Sequence, residues 1–451
     1  MKVLLVNPPK SLDGREISRE ECGIGAVPKG FLPSQPLLST NYLRNNGIDA
    51  DFVDAETSNV SFEGYDVVVV WVSVLKTFYK DIKLLEKAKK EGKKTVMVLN
   101  EPYFGFEVET LTKFSFIDAS IKLWEREIVL HRLICKWEKN EHPDFPGVVY
   151  RKNGKIVDNG FFPPQPTLEH LSSCSKLLES LPLEKYTCVG ITTGRGCPLG
   201  CTFCLYRRIK TRKRKIQDVI SEFEVISPSI KRVLILDPAL LFSRKWTENF
   251  CDQLKTKRIR VFWRADIRPE QCTMERLNKI YDAGCDCVLM AIEALIPEIR
   301  RKIMAGTTPE NLKQAIKNLK KIGINPIPIF DVGYLWDTEK TYLKILDVLK
   351  EISVPYFELN FVKPWKGTPY YEECLKLGVL KRELTIDDYV YSYGPMIDGL
   401  YLKKEDMEAW KKRIIRSISL NPRYILNFLR KEKKLKLQHL KTGINLLIGK
   451  I

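Results

Sequence analysis

Gly196-Cys197-Pro198-Leu199-Gly200-Cys201-Thr202-Phe203-Cys204 sets three cysteines in a C-x-x-x-C-x-x-C run, reached from the strand-like Cys188-Val189-Gly190-Ile191 through Thr192-Thr193-Gly194-Arg195. Sulfide-bridged iron is soft and takes deprotonated cysteine as its ligand, so the spacing points to an iron–sulfur cluster. Three thiolates cannot close a four-iron cube, and one iron is left open to an exogenous ligand. A zinc site would add a second Cys or His pair. The four histidines, His131, His142, His170 and His439, supply none. The other nine cysteines are scattered and read as small core hydrophobes; Cys272, Cys285, Cys287 and Cys374 lack the tight spacing of an auxiliary cluster.

These residues resemble the cluster loop of radical S-adenosylmethionine (SAM) enzymes, including the aromatic Phe203 before the last cysteine. The resemblance implies a 4Fe-4S cluster on Cys197, Cys201 and Cys204 whose open iron chelates SAM. An external reductant would then drive cleavage of SAM to a 5′-deoxyadenosyl radical that abstracts hydrogen from substrate. In that chemistry the cofactor does the difficult step, and the protein positions the reactants and excludes water.

The chain has 451 residues, 44% apolar and 29% charged, enough for two or three domains with full cores. Its longest apolar run, Val67-Val68-Val69-Val70-Trp71-Val72, is strand-length, far short of the ~20 residues that span a bilayer. Met1-Lys2-Val3-Leu4-Leu5-Val6 reads as a first strand, not a signal peptide, so a reducing cytoplasm is expected. Strand and helix patterns alternate through residues 1–150: a flavodoxin-like, doubly wound α/β domain. Its opening, Lys2-Val3-Leu4-Leu5-Val6-Asn7-Pro8-Pro9, resembles the cobalamin-binding domain that precedes the barrel in one radical SAM subfamily. That subfamily often carries a glycine-rich loop after the fourth strand and a Gly-Glu-Gly-Glu segment later. Here those positions read Leu99-Asn100-Glu101-Pro102-Tyr103 and Leu123-Trp124-Glu125-Arg126-Glu127. Two readings stay open, a corrin-binding domain and the same fold without its corrin.

Residues 151–185 form a linker, with a turn at Asn153-Gly154 and the extended Phe161-Phe162-Pro163-Pro164-Gln165-Pro166. Residues 186–380 resume the alternation as a partial (β/α)6 TIM-type barrel. Functional groups of such barrels gather at the carboxyl ends of the strands. Expected strands are Cys188–Thr192, Val233–Leu236, Val261–Arg264, Cys287–Ile292, Pro326–Val332 and Tyr356–Phe361. By the resemblance, Glu293 after the fourth strand contacts the SAM amino group, and Gly333 in Asp331-Val332-Gly333-Tyr334 lies near adenine. Arg264 offers a planar fork to the SAM carboxylate or ribose, or a salt bridge to Asp266 or Glu293. Asp237 bonds a hydroxyl near the cofactor, or caps the next turn.

The net charge of +18 is compatible with nucleic acid, an anionic membrane or an acidic substrate. The run Arg207-Arg208-Ile209-Lys210-Thr211-Arg212-Lys213-Arg214-Lys215 reads as a solvated helix face or a phosphate-binding stretch. Residues 381–451 form a basic helical C-terminal region; from Asn421 onward it holds eight Lys or Arg and one acid. A basic amphipathic tail lies either in the interface of an anionic bilayer or as a lid across the barrel. The expected function is therefore hydrogen abstraction leading to C–C bond formation or methylation, the substrate a lipid at the membrane surface. RNA or peptide modification is the alternative, and a non-catalytic iron–sulfur scaffold or sensor the third.

Overall fold

A computed structural model describes residues 1–9, 11–12, 15–16, 30–72, 77–99, 105–122, 124–392, 394–422 and 424–425. Packing divides the chain into two units. The first holds Met1–Gly196, Lys210–Trp263 and Leu384–Tyr391; the second holds Cys197–Ile209, Arg264–Glu383 and Ser392–Ile451. The expected linker 151–185 lies inside the first.

In the first unit, β1 (Lys2–Asn7), β2 (Asp49–Asp54), β3 (Val67–Val72), β4 (Lys94–Leu99) and β5 (Ala119–Ile121) pair in parallel in the order β2-β1-β3-β4-β5. This is the flavodoxin-like order, with its topological switch point between β1 and β3. The unbroken valine run of β3 is buried along its whole length, as a parallel strand covered on both faces requires. Helix Phe78–Lys90 lays Phe78, Ile82, Leu85 and Ala88 on the sheet at helical spacing. Beyond β5 the sheet continues antiparallel through β6 (Val148–Lys152) and β7 (Lys155–Asp158). Asn153 and Gly154 join these strands at φ 48° and 79°, the left-handed pair that a tight hairpin turn requires.

The six expected barrel strands are all present. In the first unit β8 (Cys188–Ile191) pairs in parallel with β9 (Arg232–Ile235). The sequence pattern did not announce Phe31–Leu32, which joins the other edge of β8. Strand β10 (Phe262–Ile267) carries the chain into the second unit, where β11 (Cys285–Glu293), β12 (Asn325–Val332) and β13 (Glu358–Phe361) pair in parallel. The helix Lys404–Ser419 buries Met407, Trp410, Ile414 and Ile418, and Trp410 stacks on Tyr342 of helix Glu339–Ile352. This helix therefore turns Met407, Trp410, Ile414 and Ile418 inward, while Leu400, Tyr401, Leu420 and Ile425 to either side of it are exposed. Residues 426–451, the rest of the expected tail, lie outside the described residues. Among the described residues no helix is long and apolar enough to cross a membrane.

Candidate active site

The three-cysteine loop belongs to the second unit and is held by backbone bonds. Thr202 N–H donates to Ile303 O (2.9 Å), and Thr202 O accepts from Tyr370 N–H (3.0 Å). Arg208 N–H closes the loop on Leu199 O (2.7 Å). Gly200 is close-packed: a Cβ there would stand 3.2 Å from Met304 Cε. The Phe203 ring meets Tyr334 edge-on at 5.7 Å. Cys197 and Cys201 are buried and Cys204 is partly exposed. Burial, and then the nearby Glu293 charge, pushes the Cys201 thiol up to about 12. A soft, shielded trio of this kind suits iron, whose charge would offset that penalty. Cys272, Cys285, Cys287 and Cys374 are buried, as core residues would be.

Glu293 ends β11 at a register shift relative to β12, with φ 50°, a conformation that residues bearing a side chain seldom adopt. Such strain gathers at functional sites, because surrounding structure must impose it. Its carboxylate accepts from Arg268 Nη1 at 3.0 and 3.2 Å. Arg268 stands just past β10 and also donates to Gly306 O (3.3 Å). The sequence had offered Arg264 as one partner of Glu293. The side chain that pairs with it is Arg268, two steps of the strand alternation further on. Arg264 instead influences Glu358.

Alternation along β10 explains the choice: Trp263, Ala265 and Ile267 are buried, whereas Arg264, Asp266 and Arg268 face the partly open side. Asp331 on β12 and Glu358 and Asn360 on β13 are half-buried too. Burial, with the charges of Glu293 and Glu358, raises the Asp331 carboxyl to about 8. Beside it the Tyr334 hydroxyl is buried with no hydrogen-bond partner among the described residues. Sequence reasoning passed over Arg268 and Asp331 as site residues. Their signal was position, each at or just past the end of a barrel strand. Gly333 has φ 84°, and its N–H donates to Asp337 Oδ2 (2.6 Å), so the turn by itself requires glycine.

Asp237 lies in the first unit, and its oxygens are taken. Oδ1 caps Ala239 N–H (3.0 Å), while Oδ2 accepts from Thr193 Oγ1 (2.7 Å) and from Lys213 Nζ. Within the basic run Arg208, Lys210 and Lys215 are exposed, whereas Arg212 to Arg214 are neither a solvated helix face nor a phosphate-facing stretch. Arg212 and Arg214 are buried; Arg212 pairs with Glu125, Lys213 with Asp237 and Arg214 with Glu222. Burial at this density is possible only because each cation has its own carboxylate.

Comparison with known proteins gives the class. The Radical SAM superfamily profile matches residues 191–349, which include the cysteine loop, Arg268, Glu293 and Asp331. Residues 191–349 carry a radical SAM domain, and the chain is an enzyme of radical SAM type, using a 4Fe-4S cluster and SAM. It is 23% identical over 443 residues, 94% of each chain, to an uncharacterized methyltransferase of Pyrococcus horikoshii. It is 24% identical to bacteriochlorophyllide d C-12(1)-methyltransferase of Chlorobaculum tepidum, over 75% of this chain and 72% of that one. In fold it is similar to the radical SAM methyltransferase TsrM of Kitasatospora setae, solved with cobalamin and a 4Fe-4S cluster. The TM-score is 0.67 at 15% identity, over 84% of this chain and 79% of that one. The cobalamin-dependent radical enzyme OxsB aligns over 83% of this chain and 55% of its own, with a TM-score of 0.62 at 15% identity.

Proposed function

We propose that this chain is a methyltransferase that works with a corrin held by the β1–β5 domain and modifies a polar substrate. The observation that carries the reading is the union, in one chain, of the β2-β1-β3-β4-β5 domain with a radical SAM region. Relatives of similar length bearing methyltransferase names support it. The described edge of the domain suits a ligand: Asn7 Oδ1 at the end of β1, beside the switch point, is buried without a partner among the described residues. The segment Asn100-Glu101-Pro102-Tyr103 that departs from the subfamily pattern, and Leu123, lie outside the described residues.

When bound, the cluster supplies the electron that cleaves SAM, and the corrin supplies a relay for the methyl group. Cys197, Cys201 and Cys204 would hold the cluster. Glu293, oriented by Arg268, would accept hydrogen bonds from the SAM ammonium. The polar face of Arg264, Asp266, Asp331 and Glu358 favours a polar substrate, because an acyl chain there would strand those polar groups without water. A membrane-lipid substrate remains tied to residues 426–451; failure of the protein to bind anionic vesicles at moderate salt would remove it.

The test is anaerobic reconstitution and reduction with SAM, assaying S-adenosylhomocysteine and 5′-deoxyadenosine with and without added cobalamin. Cobalamin-dependent S-adenosylhomocysteine, absent in Cys201→Ala, is expected. Deoxyadenosine formed while S-adenosylhomocysteine stays absent with cobalamin present would refute methyl transfer and leave the radical chemistry standing.

A further inference from the structure

The cysteine loop is rooted in a stem belonging to the first unit. Gly194 pairs antiparallel with Lys213 and Arg195 with Arg212. The chain leaves this ladder at Arg195, passes through Cys197, Cys201 and Cys204, and returns at Arg212. An isolated two-residue ladder is too short to hold itself together, since even full hairpins are marginal in water. Two fully buried carboxylates bridge it. Glu125 accepts from Arg195 Nη1 (2.9 Å) on one strand and from Arg212 Nη1 on the other. Asp237 likewise accepts from Thr193 on one side and Lys213 on the other. Glu127 strengthens the first clamp with bonds of 2.8 and 3.1 Å to Arg195, whose Nη2 also reaches Gln35 Oε1 at 3.1 Å. Gly194 makes the second clamp possible: a Cβ there would lie 2.7 Å from Asp237 Oδ2 and 2.8 Å from Arg212 O.

We propose that Glu125 and Asp237 are positioning residues for the iron–sulfur cluster, carboxylate clamps that hold the two ends of the cysteine loop at one strand spacing. Glu125 and Glu127 come from the segment that leaves β5, so the α/β domain itself supplies one of the clamps. The inference rests on Cys197, Cys201 and Cys204 being the cluster ligands. Removing the Glu125 charge would leave the buried Arg212 without its carboxylate, and Arg212 is poorly placed to bear it because its Nε and Nη2 lack partners among the described residues. The stem would then open to admit water, and the thiolates would lose their fixed spacing.

A competing use of the first clamp is a metal site, because donor atoms of Glu125, Glu127 and His170 lie within 4.8 Å of one another. Charge balance argues against it. The two carboxylates already face two guanidinia, and His170 Nε2 stands 2.7 Å from Glu127. Burial works to raise Glu125, yet the His170 hydrogen bond and the Arg195 and Arg212 charges hold it down to about 2. A divalent cation would have to displace partners already in place.

Glu125→Gln and Asp237→Asn test the clamps, and Asp54→Asn serves as the control. Asp54 is a buried carboxylate in the same unit that binds Asn7 Nδ2 (3.1 Å) and Tyr186 OH (3.1 Å), away from the stem. Two readouts are needed: iron release to a chelator from reconstituted protein, and trypsin cleavage at Arg207, Arg208 and Lys210 in the cluster-free protein. Outer partners of metal ligands typically govern affinity by about 10–100-fold, so both clamp variants should release iron at least about tenfold faster. Both should also be cut faster within the loop, while Asp54→Asn changes neither, even at a matched loss of Tm. Unchanged iron release and cleavage in both clamp variants would overturn the proposal. Equal effects from Asp54→Asn would overturn it as well, by reducing the clamps to general stability. If the wild type assembled no cluster, the ligand reading would fail, and faster cleavage in the clamp variants would still establish the stem.

Discussion

Replacing Asp331 by asparagine should stabilise the SAM-free protein, by an amount that grows with pH. The Asp331 carboxyl receives no hydrogen bond among the described residues and faces Glu293 and Glu358, so burial and those charges hold it at about 8. An unfolded aspartate loses its proton near pH ~4. Between those two values the native state binds the extra proton, so stability conferred by the protonated carboxyl is present below about pH 4 and is lost progressively as pH rises to about 8. Four units at about 1.36 kcal/mol each set a ceiling of about 5 kcal/mol. Water reaching this half-buried group would reduce that to about 2–3 kcal/mol. At about 2 °C per kcal/mol for a chain of this size, Asp331→Asn should melt about 5 °C above the wild type at pH ~8.5 and nearly level with it at pH ~4. Thermal unfolding of both proteins across that range is the assay. Glu107 and Asp337, each raised to about 7 by burial, titrate in both proteins and cancel in the difference. Parallel curves for the two proteins would refute the placement of an unpaired carboxyl among these strand ends.

Other substitutions separate the remaining claims. Glu293→Ala should cost about 2–3 kcal/mol by leaving Arg268 with only its longer carboxylate contact, to Glu270 at 3.6 Å; Glu293→Gly, free to adopt φ 50°, should be about 1 kcal/mol less damaging, and the reverse order in urea titrations would argue against the left-handed conformation. Gly194→Ala should lose about 1–3 kcal/mol through collision with Asp237 and Arg212 O, together with cluster retention in an iron assay. Arg214→Ala should be among the most destabilising single changes, about 3–5 kcal/mol, because Glu222 would be left buried and unpaired, and a loss below about 1 kcal/mol would contradict its burial. Cys201→Ala should abolish the brown colour and visible absorbance of the reconstituted protein while its far-ultraviolet circular dichroism stays unchanged.

Much of this protein was determined by sequence alone, wherever the decisive groups are neighbours along the chain. Three thiols within eight residues can share one inorganic core whatever surrounds them, so Cys197, Cys201 and Cys204 stand out as candidate ligands in the sequence itself. Period and β-branching likewise announced β3 and the alternation of both α/β regions, because burial on two faces demands continuous apolar strands. Tertiary structure decided which charges meet. Glu293 pairs with Arg268, 25 residues away, and Glu125 with Arg195 and Arg212, 70 and 87 residues away. A basic run looks the same in sequence whether it is solvated or buried. What distinguishes the two states is the arrival of Glu125, Asp237 and Glu222 from distant segments, and only folding brings enough counter-charge together to take three cations out of water.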